Sequence, residues 1–242
     1  MPDGGVSDGS GPVVLAVATA PERRGIEHLE TATHAANRIE ILQTGVGPLQ
    51  ADAIRAHLVN AGARGLVSLG TCGGLDPAIS CGTLLIPAEL IGADDQRAPV
   101  DMAWRKRVTG LLAPTIEWRD GPLVTLDRVL RTPEQKRQVR DRTGAVVIDM
   151  ESATLQRAAA LAGIPFIAVR VALDSADETI PSSVAAGVDR DGNPTPLRLL
   201  RTLCAHPTDI PGLVRLAAGL RVANAALEDA IRQAADALVD PR

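Results

Sequence analysis

Short apolar runs alternate with helical stretches along the chain as far as Pro181. Strands are predicted over residues 13–18, 39–43, 65–69, 83–87, 122–125, 146–148 and 166–171, which are short, apolar and often β-branched. Helical patterns occupy 48–59 and 152–162, and the second ends at Gly163 and Pro165. Because the runs are continuously apolar, helices should cover both faces of their sheet. We predict an α/β fold, a single three-layer αβα sandwich with a central mixed sheet.

The pattern changes after Pro181, where strand signals stop. Residues 196–206 and 211–239 are Ala/Leu-rich with Arg at helical spacing, and they predict a C-terminal helical appendage. It packs on the core or on a second subunit, or else it forms a surface for an apolar substrate or a membrane. We assign 1–12 (MPDGGVSDGSGP) to a disordered tail, 13–181 to the core and 182–242 to helices of the same domain.

The composition narrows the class of function. The 242 residues carry a net charge of −4 and no basic run, which argues against nucleic acid, since phosphate contacts need clustered cations. The apolar stretches are too short to span a bilayer. Cys72, Cys81 and Cys204 are odd in number and lack metal-ligand spacing. We therefore expect a reducing cytoplasm, no metal and no cofactor.

The stretch AVVIDMESATLQRAA, residues 145–159, places two carboxyl groups where a buried strand passes into a helix. Helix capping accounts for Asp149 or Ser152, because oxygens there accept from free backbone N–H groups. It leaves Met150 and Glu151 unexplained. Ligands of α/β sheets collect beyond the carboxyl ends of strands. The polar groups at those ends are Glu22, the 45–47 turn, Thr71 with Gly73 and Gly74, Met150 with Glu151, and the 174–177 segment.

The chemistry available at these ends is that of carboxyl groups. The histidines, His28, His34, His57 and His206, lie in or near predicted helices, so a Ser-His-Asp set is not expected. Paired carboxyl groups without a metal suit an oxocarbenium-like transition state. One acid then protonates the leaving group while another residue orders the nucleophile.

Two segments resemble the nucleoside phosphorylase/nucleosidase superfamily, the purine and uridine phosphorylase type that includes methylthioadenosine/S-adenosylhomocysteine nucleosidase and futalosine hydrolase. They are SLGTCGGLDPAISCGTLLIP (68–87) and VVIDMESATLQRAAALAGIPFIAVRVALDSAD (146–177). The second contains the superfamily's Met-Glu pair, helix and Arg-x-x-x-Asp ending in order. TGAVVIDMES and the segment 173–217 resemble more closely the hopanoid-associated phosphorylase subfamily, whose members remove adenine from adenosylhopane.

The resemblance implies a role for each residue at the strand ends. An ionised Glu151 would accept hydrogen bonds from the ribose hydroxyls while Met150 packs against the sugar. Asp174 would protonate adenine at N7, since a carboxyl group among apolar strands can keep its proton near neutral pH. Glu22 would order and deprotonate the attacking water.

The other implied roles concern the walls of the site. Thr71 and Gly73 would contact the nucleophile or its neighbours. Arg170 would pair with a nearby carboxylate such as Glu151. Val129 and Leu130, in the segment 127–130, would contact the base.

The sequence departs from the superfamily pattern in three places. Val129 replaces a ring that stacks on the base, and Leu173 replaces a Ser beside the acid. Ser68 stands where purine-type relatives carry a phosphate-binding Arg, a place that Arg23 or Arg24 could fill. The lost cation favours hydrolysis by water over glycosyl transfer to inorganic phosphate, which stays open as a co-substrate.

The expected substrate is a nucleoside with a triterpenoid tail, adenosylhopane, consumed in hopanoid biosynthesis by a homodimer. Peripheral membrane contact is part of this expectation. The alternative with the same chemistry is a methylthioadenosine/S-adenosylhomocysteine or futalosine nucleosidase. An alternative of another class is a non-catalytic nucleoside-binding subunit of a lipid-synthesis complex.

Overall fold

The computed structural model describes residues 11–27, 29, 38–45, 49–112, 116, 118–186, 195, 201 and 205–241. Within them the strands are β1 Val13–Val17, β2 Ile39–Gln43, β3 Gly65–Gly74, β4 Leu84–Leu85, β5 Glu89–Ile91, β6 Arg97–Pro99, β7 Trp118–Arg119, β8 Leu123–Thr125, β9 Val147–Asp149 and β10 Phe166–Asp174. The α-helices are α1 Ala20–Ile26, α2 Ala51–Asn60, α3 Met102–Leu111, α4 Pro133–Thr143, α5 Ser152–Ala162 and α6 Ile210–Leu238. Short 3₁₀ turns lie at Ser182–Ala186 and Pro207–Asp209.

These strands join one mixed sheet, as the sequence predicts. β3 lies at its centre, with β1 and β10 parallel to it and β9 antiparallel to its last residues. β2 extends the sheet beyond β1; β8, β5 and β6 extend it beyond β9; β4 and β7 extend it beyond β10. No residue of β1 is more than 1% exposed. Such burial on both faces is what continuous apolar runs require.

The helices cover the sheet in two groups that each contact β3 and β10. α5 packs with α2, whereas α6 packs with α1 and α3. Trp104 of α3 is fully buried, and its Nε1 donates to the Ala237 carbonyl near the end of α6 at 2.7 Å. The predicted αβα sandwich is therefore confirmed.

The apolar pattern does not predict several of these elements, because they contain few apolar residues. α4 (PEQKRQVRDRT) is almost wholly polar, although it begins at a capping box of Thr132 and Gln135 and ends at Gly144, whose φ is 71°. β5, β6 and β7 have only two or three residues each. The capping signals, rather than the hydrophobic pattern, could have identified α4.

The predicted helix at 211–239 is α6, and its two halves differ in burial. Beyond Ala223 one face is buried in the core, including Leu227 and Ile231. In the first half, Ile210 and Val214 are 46% and 65% exposed. A stretch within Pro207–Leu238 reaches a mean hydropathy of 1.2, high enough for a membrane span, with 17% of it buried. One such helix, identified by length and composition alone, is weak evidence for a span.

Some predictions fall outside the described residues. They are residues 1–10 of the tail, His28, His34, Cys204, Gly47 of the 45–47 turn and nearly all of the predicted helix at 196–206. The domain boundaries remain predictions.

Candidate active site

A cavity of about 220 Å³ lies where β1, β3, β9 and β10 end. The predicted site residues all line it: Glu22, Thr71, Gly73, Val129, Leu130, Met150, Glu151, Arg170 and Asp174. The structure therefore brings together side chains that are more than a hundred residues apart in the chain. Their chemical roles remain predictions.

A β-bulge sets the position of Asp174. β10 and β3 stay in register as far as Ala172 and Cys72, and after the bulge Asp174 pairs with Gly73. Such a bulge redirects the side chains that follow it. A Cβ on Gly73 would lie 3.1 Å from both Asp174 Oδ1 and Ile148 Cγ2. Glycine therefore allows the carboxyl group to approach β3 this closely.

Arg170 is the centre of a buried polar cluster beside the cavity. It is 2% exposed, and its Nε donates to Asp149 Oδ2 at 3.0 Å. Its Nη2 donates to Ser68 Oγ at 2.6 Å and to Ser152 Oγ at 2.9 Å. Burial works against the charge of Arg170, but neighbouring carboxylates, Asp149 foremost, raise its pKa. The guanidinium is therefore a fixed positive charge.

Arg170 pairs with a nearby carboxylate, as expected, but that carboxylate is Asp149, at 2.8 Å, and not Glu151. Asp149 is the last residue of β9 and also accepts from Thr125 Oγ1 at 2.6 Å and from Ser152 N at 3.1 Å. One carboxylate thus caps α5 and neutralises Arg170, leaving Glu151 to the cavity.

Glu151 occupies the N-cap position of α5 but makes no side-chain capping hydrogen bond. It is 7% exposed and lines the cavity. Burial raises the pKa of Glu151 to about 8; the charge of Asp149 adds to the rise, and Arg170 opposes it. Burial therefore favours the protonated form of Glu151 in the free protein, whereas its predicted role at the ribose hydroxyls calls for the ionised form.

Asp174 forms a buried ion pair that the sequence did not reveal. Lys136 Nζ lies 2.7 Å from Asp174 Oδ2 and donates to the Ser175 carbonyl at 2.5 Å. Lys136 is 1% exposed and Asp174 4%. Burial raises the pKa of Asp174, and the Lys136 ammonium opposes that rise. Asp174 and Glu151, two of the carboxyl groups that line the cavity, thus have different surroundings.

Glu22 binds the start of α1. Its Oε2 accepts from Ala18 N at 3.1 Å, Thr19 N at 2.9 Å and Thr19 Oγ1 at 3.0 Å. Its Oε1 accepts from Thr71 N at 3.1 Å. Thr19 and Glu22 form a capping box. Since a carboxylate has about four acceptor sites, Oε1 is the oxygen with room for a further donor such as water.

Apolar side chains form much of the remaining wall. They are Val129, Leu130, Ile148, Leu173, Ile180, Val184 and Leu216. Val129 is 50% exposed, whereas Leu130 is 4% exposed. Leu216 comes from the first half of α6, so the helix with the exposed apolar surface also reaches the cavity.

Two cations also line the cavity: Arg128 belongs to the predicted base-contacting segment 127–130, whereas Lys136 is missed by sequence reasoning. The arginines expected to replace a phosphate-binding residue are engaged elsewhere. Arg23 Nη1 donates to the Ile41 carbonyl at 3.0 Å, and Arg24 Nε donates to a carbonyl of its own helix at 3.3 Å. Neither belongs to the cavity lining.

The other nucleophile and metal candidates can be placed as well. Cys72 is 5% exposed, and burial raises the pKa of its thiol, so it stays neutral. His57 pairs with Glu40 at 2.6 Å, away from the cavity. Across the described ranges, no group of three or more His, Cys, Asp and Glu side chains could hold a metal ion.

The fold and the cavity define an α/β protein whose buried carboxyl groups line a cavity at the strand ends. The family model of the Phosphorylase superfamily matches residues 9–195. The chain therefore belongs to the Phosphorylase superfamily.

Solved structures share the fold at low sequence identity. Futalosine hydrolase of Helicobacter pylori strain 26695 superimposes with a TM-score of 0.70 at 14% identity, over 94% of this chain and 98% of that one. The methylthioadenosine/S-adenosylhomocysteine nucleosidase of Colwellia psychrerythraea, solved with adenine, gives 0.71 at 16%, over 95% and 96%. That of Neisseria meningitidis, with methylthio-immucillin-A, gives 0.66 at 17%, over 93% and 98%.

Proposed function

We propose that this protein cleaves the N-glycosidic bond of an adenosyl compound with a large apolar 5′ group, adenosylhopane, and releases adenine. The observation that carries the proposal is the meeting of Asp174, Glu151 and Glu22 in one cavity. A nucleosidase needs an acid for the base, a group for the ribose and a group for the nucleophile. Family membership and the shared fold support the same reaction class.

The residues divide the reaction between them. Asp174 gives its proton to N7 as the bond between C1′ and N9 breaks, and the bond's electrons move onto the purine. Glu151 binds the ribose hydroxyls, with Met150 against the sugar. A water on Glu22 Oε1 attacks C1′ and loses its proton to that carboxylate. Thr71 N donates to the same oxygen at 3.1 Å and so fixes its direction.

Water is the proposed nucleophile. Ser68, which stands where purine-type relatives carry a phosphate-binding Arg, is neutral and fully buried, and its hydroxyl accepts from Arg170. Arg23 and Arg24 are engaged outside the cavity. Product analysis with and without inorganic phosphate tests this choice. Free ribose-type product under both conditions supports hydrolysis, and a 1-phosphate product overturns it.

The apolar wall supports a large apolar 5′ group. Ile180, Val184 and Leu216 line the cavity next to the exposed apolar half of α6. A hydrophobic tail would leave the cavity along that surface, and a lipid bilayer would be the place where such a substrate is met. Peripheral membrane contact through α6 is therefore part of the proposal.

A nucleosidase for methylthioadenosine, S-adenosylhomocysteine or futalosine is the alternative with the same chemistry. Its support is the fold shared with enzymes of those names. Incubation with adenosylhopane and with methylthioadenosine, followed by quantification of free adenine, separates the two. Rapid release from methylthioadenosine alone refutes the lipid substrate.

A non-catalytic nucleoside-binding subunit predicts binding without turnover. The substitution Asp174→Asn decides between this class and an enzyme. We expect it to lower kcat by at least about 100-fold, the usual contribution of a general acid. Because Asn leaves the Lys136 charge unpaired, circular dichroism must accompany the assay. A folded variant with unchanged turnover would remove Asp174 from the mechanism.

A further inference from the structure

Lys136 stands apart among the cations of this chain. The sequence contains 25 lysines and arginines, and only Lys106 and Lys136 are lysines. Lys106 is exposed on α3, whereas Lys136 is 1% exposed on α4. A buried ammonium group is unfavourable unless it is paired and hydrogen-bonded. Its location therefore depends on its partner.

That partner is the strand end that carries the proposed acid. Lys136 Nζ contacts Asp174 Oδ2 at 2.7 Å and the carbonyl of Ser175 at 2.5 Å. These acceptors belong to consecutive residues directly after the β-bulge. Lys136 therefore holds both the carboxyl group and the backbone that supports it. Lys136 also lines the cavity, so the pair lies at the reacting end of the site.

We infer that Lys136 is a positioning residue for bond cleavage: it orients Asp174 and stabilises the carboxylate that forms when Asp174 gives up its proton. The inference rests on the proposed function. As C1′–N9 breaks, its electron pair goes to the purine and N7 takes the Asp174 proton, while the O–H electrons remain on Asp174. The new negative charge forms beside an ammonium already in place, so the surroundings need little reorganisation.

Besides Lys136, a carboxyl group and two thiols interact electrostatically with Asp174, and the guanidinium groups of Arg128 and Arg170 line the same cavity. Glu178, in the turn after β10, raises the pKa of Asp174. Cys72 on β3 and Cys81 before β4 both lie within range of its charge, and burial raises the pKa of each thiol. Lys136 is the cation that opposes burial at this carboxyl group.

The test compares Lys136→Met, Lys136→Arg and the exposed control Lys106→Met by pH profiles of kcat and KM. Asp174 must be protonated to act, so activity falls as pH rises through its pKa in the complex. Removing the ammonium raises that pKa, and we expect Lys136→Met to move the alkaline limb upward by about one pH unit or more. We also expect kcat to fall about 10- to 100-fold, with KM changed less.

Lys136→Arg keeps the charge, and we expect it to keep the alkaline limb near its wild-type position. Lys106→Met should match the wild type throughout. A folded Lys136→Met with wild-type kcat and pH profile would overturn the inference and leave Lys136 a structural residue. An equal shift in the Lys106→Met variant would also overturn it.

A second measurement tests the pairing of Lys136 with Asp174 without an activity assay. It also decides the question if the Lys136→Met variant does not fold. In ¹⁵N-lysine-labelled protein the two lysines give two side-chain signals, and Lys106→Met assigns them. We expect Asp174→Asn to shift the Lys136 Nζ signal and leave that of Lys106 in place; an unmoved Lys136 signal would refute the pairing. A wild-type protein that releases no base contradicts the proposed function, whereas the pairing is decided by the spectra.

Discussion

Two buried carboxyl groups in one cavity are held in opposite ways. Asp174 has the ammonium group of Lys136 2.7 Å away. Glu151 instead has the negative charge of Asp149 nearby, which raises its pKa. Burial raises the pKa of both groups; Lys136 opposes the rise at Asp174, whereas Asp149 adds to it at Glu151. Arg170 pairs with Asp149 and lowers the pKa of Glu151 only in part.

The raised pKa of Glu151 makes the stability of the free protein depend on pH. Between 4.5 and about 8 the folded protein holds a proton that the unfolded chain has lost, so stability falls as pH rises through that window. We expect Glu151→Gln to stabilise the protein by on the order of 4 kcal/mol at pH 8 and by little at pH 4.5, since each unit of pKa shift corresponds to about 1.4 kcal/mol. Urea denaturation across this pH range measures the difference.

Glu134→Gln is the matched control, because the Glu134 side chain is 62% exposed. Its effect on unfolding should not vary across the same window. If Glu151→Gln gives an equally flat difference, Glu151 is not protonated in the folded protein.

Binding of the ribose should change the protonation of Glu151. A carboxylate accepts two hydroxyl donors better than a protonated group does. Because the pKa is about 8 in the free protein, we expect a bound adenosine analogue at pH 7 to release up to about one proton. Calorimetry in buffers of different ionisation enthalpy measures the release. Glu151→Gln should abolish it, and wild-type binding without release would contradict the assignment of Glu151 to the hydroxyls.

At the scale of elements, the site depends on how β3 and β10 end. The bulge at Leu173 brings Asp174 opposite Gly73, and the space there is just sufficient for a glycine. We expect Gly73→Ala to displace Asp174 by a few tenths of an ångström and to lower kcat by about 10-fold or more, because such displacements are costly for catalysis. Steady-state kinetics and thermal unfolding would show the two effects separately.

Gly110→Ala is the control, since a Cβ there meets nothing within 4 Å. On α3 it should raise stability slightly, by up to about 1 kcal/mol, and leave kcat unchanged. Wild-type kcat in Gly73→Ala would show that the contact between Gly73 and Asp174 does not govern the acid.

The elements also show what the sequence could and could not provide. α5 is predicted with its observed bounds, 152–162, because Gly163 and Pro165 mark its end in the sequence. α4 is missed because Lys136, a charged residue, is among its few buried ones. Hydrophobic periodicity carries no signal for a charge buried against another charge. The sequence predicts the carboxyl groups at the strand ends. Their ion-pair partners depend on side-chain directions, which the spacing of residues along the chain does not determine.

At the scale of the whole molecule, exposed apolar residues lie on two different surfaces, one on α6 and one on α2 and α5. Val214 on α6 is 65% exposed, whereas Val59 on α2 and Leu161 on α5 are 55% and 53% exposed. The proposed membrane contact would use the first surface, and the expected homodimer the second, on helices that cover the sheet. Exposed apolar patches commonly mark such contacts.

Charged substitutions test both surfaces, with each variant serving as the control for the other. We expect Val214→Glu to lower co-sedimentation with anionic vesicles severalfold and to leave the molar mass in solution unchanged. Leu161→Glu should shift the mass toward that of a monomer, measured by light scattering, and leave vesicle binding in place. A wild-type protein that stays in the supernatant with every vesicle composition would refute the membrane contact.

The long C-terminal helix α6 has a consequence for how the cavity can diverge among relatives. A Cβ on Gly219 would lie 2.7 Å from the Leu173 carbonyl, so the helix crosses the bulged strand with almost no clearance. The buried half of α6, from Ala223 onward, follows this crossing in the chain, and Leu216 of the cavity wall precedes it. Each helical residue advances the side-chain direction by about 100°. A single-residue insertion just before Gly219 would therefore turn Leu216 and the residues before it by about 100° relative to the second half of α6. The second half would keep its packing in the core. The cavity wall could thus change among relatives while the domain keeps its fold.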